Sequence, residues 1–184
     1  MLLIDSVNTI LTRLGERPVT STTTPHPTVS IILLTLDQLR RSVLTRGWWF
    51  NQYDYKAYPD INGEIYLSVD TLTFYPKVAG TAVTRGTQLF NLRDSTFVFT
   101  EPVEGTVVQD VPFELLPESV SNHLTWLALV QVYISDVGMT AEAQAWQGNA
   151  NVELATMHHE HVRQRQYSTR DKPEYRRIRR SMVN

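Results

Sequence analysis

Apolar residues at Leu3, Val7, Ile10, Leu11 and Leu14 recur at the spacing of one helical face, and Gly15 follows as a stop. This spacing predicts a short helix ending by about residue 14. The next stretch, "ERPVTSTTTPHPT", is rich in proline and threonine without periodicity and reads as an extended connection. A second stripe follows from Pro27 through Val29, Ile32, Leu33, Leu36, Leu39 or Arg40, Val43 and Leu44, and ends at Gly47. Past Gly47 the period changes. Segments 48–56, 64–76, 81–91, 96–100 and 103–111 are rich in Tyr, Phe, Val, Thr and Trp, and "PDING", "PKVAG", "NLRDS" and "TEPVEG" break them. These are strand and turn signals, and they predict a small antiparallel sheet. In "INGEIYLSVD", alternation places Ile65, Leu67 and Val69 on one side of a strand and Tyr66 and Ser68 on the other.

The helical period returns after "PFELLPESV". Pro117 suits a first-turn position and Glu118 the positive end of a helix, while Val120, Leu124, Leu127, Val130, Ile134 and Val137 mark a buried face up to Gly138. Thr140 suits the cap of a fourth helix beginning "AEAQAWQGNANVELATMHHEH". The fold class expected is therefore α+β: a bundle of N-terminal and C-terminal helices, an inserted antiparallel sheet and an extended C-terminal arm. The segments are 1–47 and 113–162 for the bundle, 48–112 for the β-rich insertion and 163–184 for the arm.

Composition adds limits. At 184 residues, with 42% hydrophobic and 20% charged content, the chain can bury a core without staples. It has no cysteine, which removes disulfides, thiol catalysis and cysteine-ligated zinc. No apolar run approaches the roughly 20 residues that cross a bilayer, and "MLLIDSVNTI" carries an acid where a signal peptide begins basic, so no membrane partner is expected. The net charge of −2 conceals a division. Residues 1–162 hold 9 Lys+Arg against 17 Asp+Glu, a net −8, and residues 163–184 hold 8 against 2, a net +6.

Candidate chemistry is sparse. His158 and His161 lie at a spacing two metal ligands can use, with Glu160 beside them, but no further cluster completes a site; a solvated polar helix face is the simpler reading. Serine-hydrolase, P-loop and dinucleotide signatures are absent. Glu101 with Glu104, or Asp54 with Asp60, has the residue type glycoside hydrolysis needs, yet such pairs arise by chance in a chain this rich in acids. Neither a catalytic set, a metal nor a cofactor is expected.

Two features stand out. After Gly47 come Trp48, Trp49 and Phe50; on a strand, Trp48 and Phe50 share one side and Trp49 takes the other, so one side can fill the core and the other can meet a neighbouring subunit. The second is the arm, whose Arg163, Arg165, Arg170, Lys172, Arg176, Arg177, Arg179 and Arg180 are interleaved with the anchors Tyr167, Tyr175 and Ile178. Such an arm can dock on an acidic groove or neutralise phosphates.

The ordered set "SVNTILTRLGERPVTS" (6–21), "RGWWFN" (46–51), "YPDINGEIYLSVD" (58–70), "LFNLRDSTFVF" (89–99) and "FELLPESVSNHLTWLALVQVY" (113–133) resembles the tail tubular protein A, or head-to-tail adaptor, family of short-tailed phages. The resemblance covers roughly residues 5–160 and departs at the Thr/Pro-rich connection and the short basic end. It implies a closed homo-oligomeric ring of about a dozen copies in the virion tail, assembled in the host cytoplasm. The ring would lie between the portal protein and the tail nozzle, tail tubular protein B, with tail fibres as a further candidate partner. Double-stranded DNA would pass through it unread. The resemblance further implies helices around the channel, a β-rich part on the tail side, a C-terminal segment facing the portal, and no enzymatic activity or cofactor. Two other classes stay open on the residues alone: a nucleic-acid-binding module using the arm, and a tail-associated polysaccharide hydrolase.

Overall fold

The computed structural model describes residues 1–23 and 25–165. Helix α1 spans Leu3–Arg13 and α2 spans Pro27–Leu44. The connection between them is pinned by Asn8, whose amide donates to the Val19 carbonyl at 3.0 Å and accepts from the Val19 N–H at 2.8 Å. Strands follow as β1 (Gln52–Ala57), β2 (Thr71–Pro76), β3 (Ala82–Arg85), β4 (Gln88–Asn91) and β5 (Val103–Gln109). A 3-10 turn at Phe113–Leu115 leads into α3 (Glu118–Val137) and α4 (Ala141–Gln164). The α+β class read from the sequence is observed.

Helix α3 lies at the centre, with α1 and α2 packed on one part of it and α4 on another. One apolar cluster joins Val7, Ile10 and Leu11 of α1, Ile32, Leu36 and Leu44 of α2, Leu124 and Leu129 of α3, and Met157 of α4. Each such Leu or Ile, fully buried, contributes about 1.5–3 kcal/mol. A second cluster, around Ile65, Phe74, Leu89, Phe99 and Val107, lies among the strands.

The β region departs from the sequence reading in several ways. Two sheets form among the described residues instead of one: β1-β5-β2 and the hairpin β3-β4, all antiparallel. Segment 81–91 is thus two strands turned at Gly86, not one. Segment 64–76 is a strand only over its last part. Glu64 and Tyr66 make single bridges to Val98 and Gln88, so 96–100 likewise contributes an isolated bridge and no full strand. Ile65 and Leu67 are buried as the alternation requires, but Val69 is exposed because the chain turns there before β2 begins. In α3, Pro117 is the N-cap and not a first-turn residue. Leu127 and Ile134 are only half-buried and Val137 is exposed, since the face pressed on α1, α2 and α4 runs through Val120, Leu124, Ala128 and Leu129. Thr140 caps α4 by accepting from the Ala143 N–H at 3.3 Å.

Candidate functional site

Helix α2 ends at a left-handed residue, Gly47, with φ of +75°. An added Cβ there would lie 2.6 Å from Gln52 Oε1 and 3.2 Å from Val108 Cγ2. Glycine is needed for the backbone sign, whereas the nearest contact is with the movable end of the Gln52 side chain. The residues after it form a turn, not a strand, and β1 starts at Gln52. The alternation expected for Trp48, Trp49 and Phe50 is therefore not observed. Trp48 alone is deeply buried, at 3% exposure, and its indole N–H donates to the Val43 carbonyl at 2.9 Å. Trp49 and Phe50 are half-buried against the same cluster, edge to face with ring centroids 5.0 Å apart.

Asn51 holds this turn together. It is 2% exposed; its carbonyl oxygen accepts the Trp48 N–H at 2.7 Å, and its amide donates to the carbonyls of Leu44 at 3.0 Å and Gln109 at 2.9 Å. The Gln109 N–H in turn donates to the Asn51 carbonyl at 2.8 Å. One side chain thereby ties the end of α2, the aromatic turn and the end of β5. Only Asn or Gln offers two neutral donors and an acceptor in one planar amide, and Asn is the shorter. Arg40, one turn before the end of α2, makes a second tie: it donates to Asp110, to the Val111 carbonyl at 2.8 Å and to Asp37 at 2.7 Å. Burial pulls the Arg40 pKa down, but the carboxylates of Asp37 and Asp110 more than offset it, so the net shift is upward. The sequence reading missed both residues. A polar Asn directly after three aromatics was the signal for the first; Arg40 was visible only as an alternative on the helical stripe.

Helix α4 closes the junction from the other side. The rings of His158 and His161 lie 5.2 Å and 5.8 Å from the Trp48 ring, so these two "MHHEH" histidines border Trp48, while His158 and His159 are solvent-exposed as the polar-face reading expects. Among the described residues no group of three or more His, Cys, Asp or Glu is placed to hold a metal ion. Burial, with help from Arg165 and His158, pushes His161 below its ordinary pKa. His123 of α3 is lowered chiefly by burial, partly opposed by its 2.7 Å hydrogen bond from Nδ1 to the Ala150 carbonyl. Ser119 donates to Glu160 at 2.6 Å, fixing the start of α3 to the end of α4.

The arm residues divide. Arg163 lies in the last turn of α4 and Arg165 at its C-cap, so helix continues past 162. A cleft of about 470 Å³ lined by Trp49, Pro117, Glu160, Arg163 and Gln164 brings the aromatic turn beside the base of the arm. Tyr167, Arg170, Lys172, Tyr175, Arg176, Arg177, Ile178, Arg179 and Arg180 lie outside the described residues. Of the four acids considered for hydrolysis, Glu104, Asp54 and Asp60 are engaged otherwise. Glu104 bridges Lys56 at 3.1 Å and Lys77 at 3.4 Å, and the hydrogen bond from Lys56 is the first cause holding its carboxyl below the usual range. Asp60 accepts the N–H groups of Asn62 and Glu64 within a turn, and Asp54 accepts from Thr106.

The sequence model of the tail tubular proteins matches residues 4–167, which take in every helix and strand described above except Leu3 at the start of α1. The chain belongs to the tail tubular protein family. Tail tubular protein A of Klebsiella phage KP34 is 28% identical over 179 residues, covering 97% of this chain and 96% of that protein. The family match takes in the whole junction of this tail tubular protein, from Arg40 to His161, and ends before Arg170. Among the described residues no helix is long and apolar enough to cross a membrane.

Proposed function

We propose that this tail tubular protein is the structural subunit of an adaptor ring that joins the portal to the tail nozzle and forms part of the channel through which DNA leaves the capsid. Family membership carries the reading. The ring would hold about a dozen copies, closed by head-to-tail contacts. Its partners would be further copies of itself, the portal protein and tail tubular protein B, with tail fibres as an added candidate, and its place the virion tail, after assembly in the host cytoplasm.

The charge division supports the rest. A body of net −8 repels phosphates wherever it lines a lumen, which suits a conduit that must release its DNA. The arm, 163–184, would dock on the portal through its arginines, with Tyr167, Tyr175 and Ile178 as apolar anchors. Gly47, Trp48, Trp49 and Phe50 would fix the helix–sheet junction at the base of that arm, between the bundle (1–47 and 113–162) and the β-rich insertion (48–112). In this reading the role is mechanical, without catalysis or cofactor.

Replacing Arg176, Arg177, Arg179 and Arg180 with Ala should leave thermal unfolding unchanged and weaken binding to the portal ring. Undiminished binding would remove the docking role. The basic arm also suits a second reading, nucleic-acid binding, which requires log affinity to fall linearly with log salt. Absence of DNA binding at physiological salt eliminates it.

A further inference from the structure

Two outward helix faces of this chain match one another. On α2 the side away from the core carries Pro27, Ile31, Leu34 and Gln38, at alternating spacings of four and three. Ile31 and Leu34 are 52% and 61% exposed, an unusual placement for two large aliphatic residues one turn apart. On α4 the side away from α3 carries Ala145, Gly148, Val152, Ala155 and His159, with the same alternation and Val152 at 66% exposure. One face offers large knobs. The other offers small residues around a single valine, a surface with room for them. Neither run contains an Asp, Glu, Lys or Arg, so bringing them together strips no formal charge of water.

The placement of the helices fits a head-to-tail contact. α2 and α4 both pack on α3 and scarcely touch each other, so their outward faces look away from the central helix on different sides. They also run in the same direction. Thr28 and Ile31 border Val132 and Val137 near the end of α3, whereas Arg40 borders Phe113 just before its start, so α2 is antiparallel to α3. The short connection at Gly138 makes α4 antiparallel to α3 as well. Trp48 sets the level: its indole bonds the Val43 carbonyl while its ring lies against His161. Counting back equally along both helices from Val43 and from His161 puts Leu34 level with Val152 and Ile31 level with Asn149, beside Gly148. With α2 and α4 running along the ring axis, a rotation about that axis keeps copies at one height and carries these levels from one copy to the next; this orientation is part of the inference.

We infer that neighbouring copies of this chain meet through these faces, with Ile31 and Leu34 of one copy packed on Gly148, Val152 and Ala155 of the next. The inference rests on the ring reading and names its contact. The faces run about 20 Å at the helical rise and roughly 10 Å across, near 200 Å² per copy. That is well below the roughly 800 Å² per partner of a stable pair. One contact alone is therefore weak. It gains strength when a template holds neighbours side by side and each copy is gripped on both flanks.

The chain has no cysteine, which permits a clean test. Leu34→Cys, Val152→Cys and the double variant are each mixed with the portal ring, treated with a short bismaleimide and run on a denaturing gel. Light scattering reports the untreated mass beside wild type, and thermal unfolding checks the fold. The expected result is a ladder of covalent multimers for the double variant, none for either single variant, and dimers alone when the two singles are mixed. Wild-type assembly to a multicopy complex, with a double variant that assembles equally but gives no ladder, overturns the face assignment and leaves the ring reading standing. Failure of wild type itself to assemble overturns the ring reading and the contact with it.

Discussion

Replacing Asn51 by Ala tests the junction most sharply. The substitution removes three hydrogen bonds from a side chain that is 2% exposed. A typical bond contributes about 1 kcal/mol net, and a buried donor left without a partner costs about 1–3 kcal/mol. The three losses are unequal. The Leu44 carbonyl keeps the Gly47 N–H at 3.0 Å, so its deficit is small. The Trp48 N–H has the Asn51 oxygen as its acceptor and would be left facing a small void, so it carries most of the penalty. The sum is about 3 kcal/mol. With a urea slope of about 2 kcal/mol/M, the unfolding midpoint should fall by roughly 1.5 M, followed by tryptophan fluorescence and by circular dichroism. Asn51→Asp keeps the acceptor for Trp48 but loses both donors and sets a charge beside two carbonyl oxygens, so it should be no more stable than the alanine variant. A midpoint within about 0.3 M of wild type for Asn51→Ala, a change of roughly 0.6 kcal/mol, would refute the claim that this amide ties α2 to β5.

Gly47→Ala should lower stability by about 1–3 kcal/mol from backbone strain alone, and adding Gln52→Ala should recover only the steric part; thermal unfolding of both variants separates the two. Arg40→Met should lower the urea midpoint by an amount equivalent to about 2–4 kcal/mol, because it leaves the Val111 carbonyl without its donor and Asp110 with only the more distant Arg41 at 3.9 Å, and Arg40→Lys should restore less than half of that. Burial holds His123 and His161 below their unfolded pKa, so the unfolded chain takes up more protons as the pH falls through the ordinary histidine range. Stability from these groups is thus fully present above the unfolded pKa of about 6.5 and declines as pH drops below it. Thermal unfolding between neutral and mildly acidic pH should show that decline, and His123→Asn, which retains a donor for the Ala150 carbonyl, should make it shallower.

The helices were legible because their burial depends on local periodicity. Val7, Ile10 and Leu11 of α1 and Val29, Ile32 and Leu36 of α2 are buried as their spacing requires. The strands were less legible because pairing is decided at a distance. Period-two alternation around Tyr66 records an extended chain with one buried side, but the partner is a single bridge to Gln88, and no local signal distinguishes that from a ladder. The aromatic turn was misjudged for a related reason. Aromatic residues favour strands, yet the left-handed Gly47 and the Asn51 side-chain bonds fold 48–51 back on themselves. The contact of His158 and His161 with Trp48 was not legible because Trp48 is more than a hundred positions away in sequence.

The central claim is that this tail tubular protein assembles as an adaptor on the portal. The mass of the full chain, measured by light scattering after size exclusion, alone and mixed with its portal ring, tests it most directly. The expected result is a complex carrying about a dozen copies per portal ring, held by contacts that a closed ring requires. A chain that stays monomeric and elutes apart from the portal would contradict the claim.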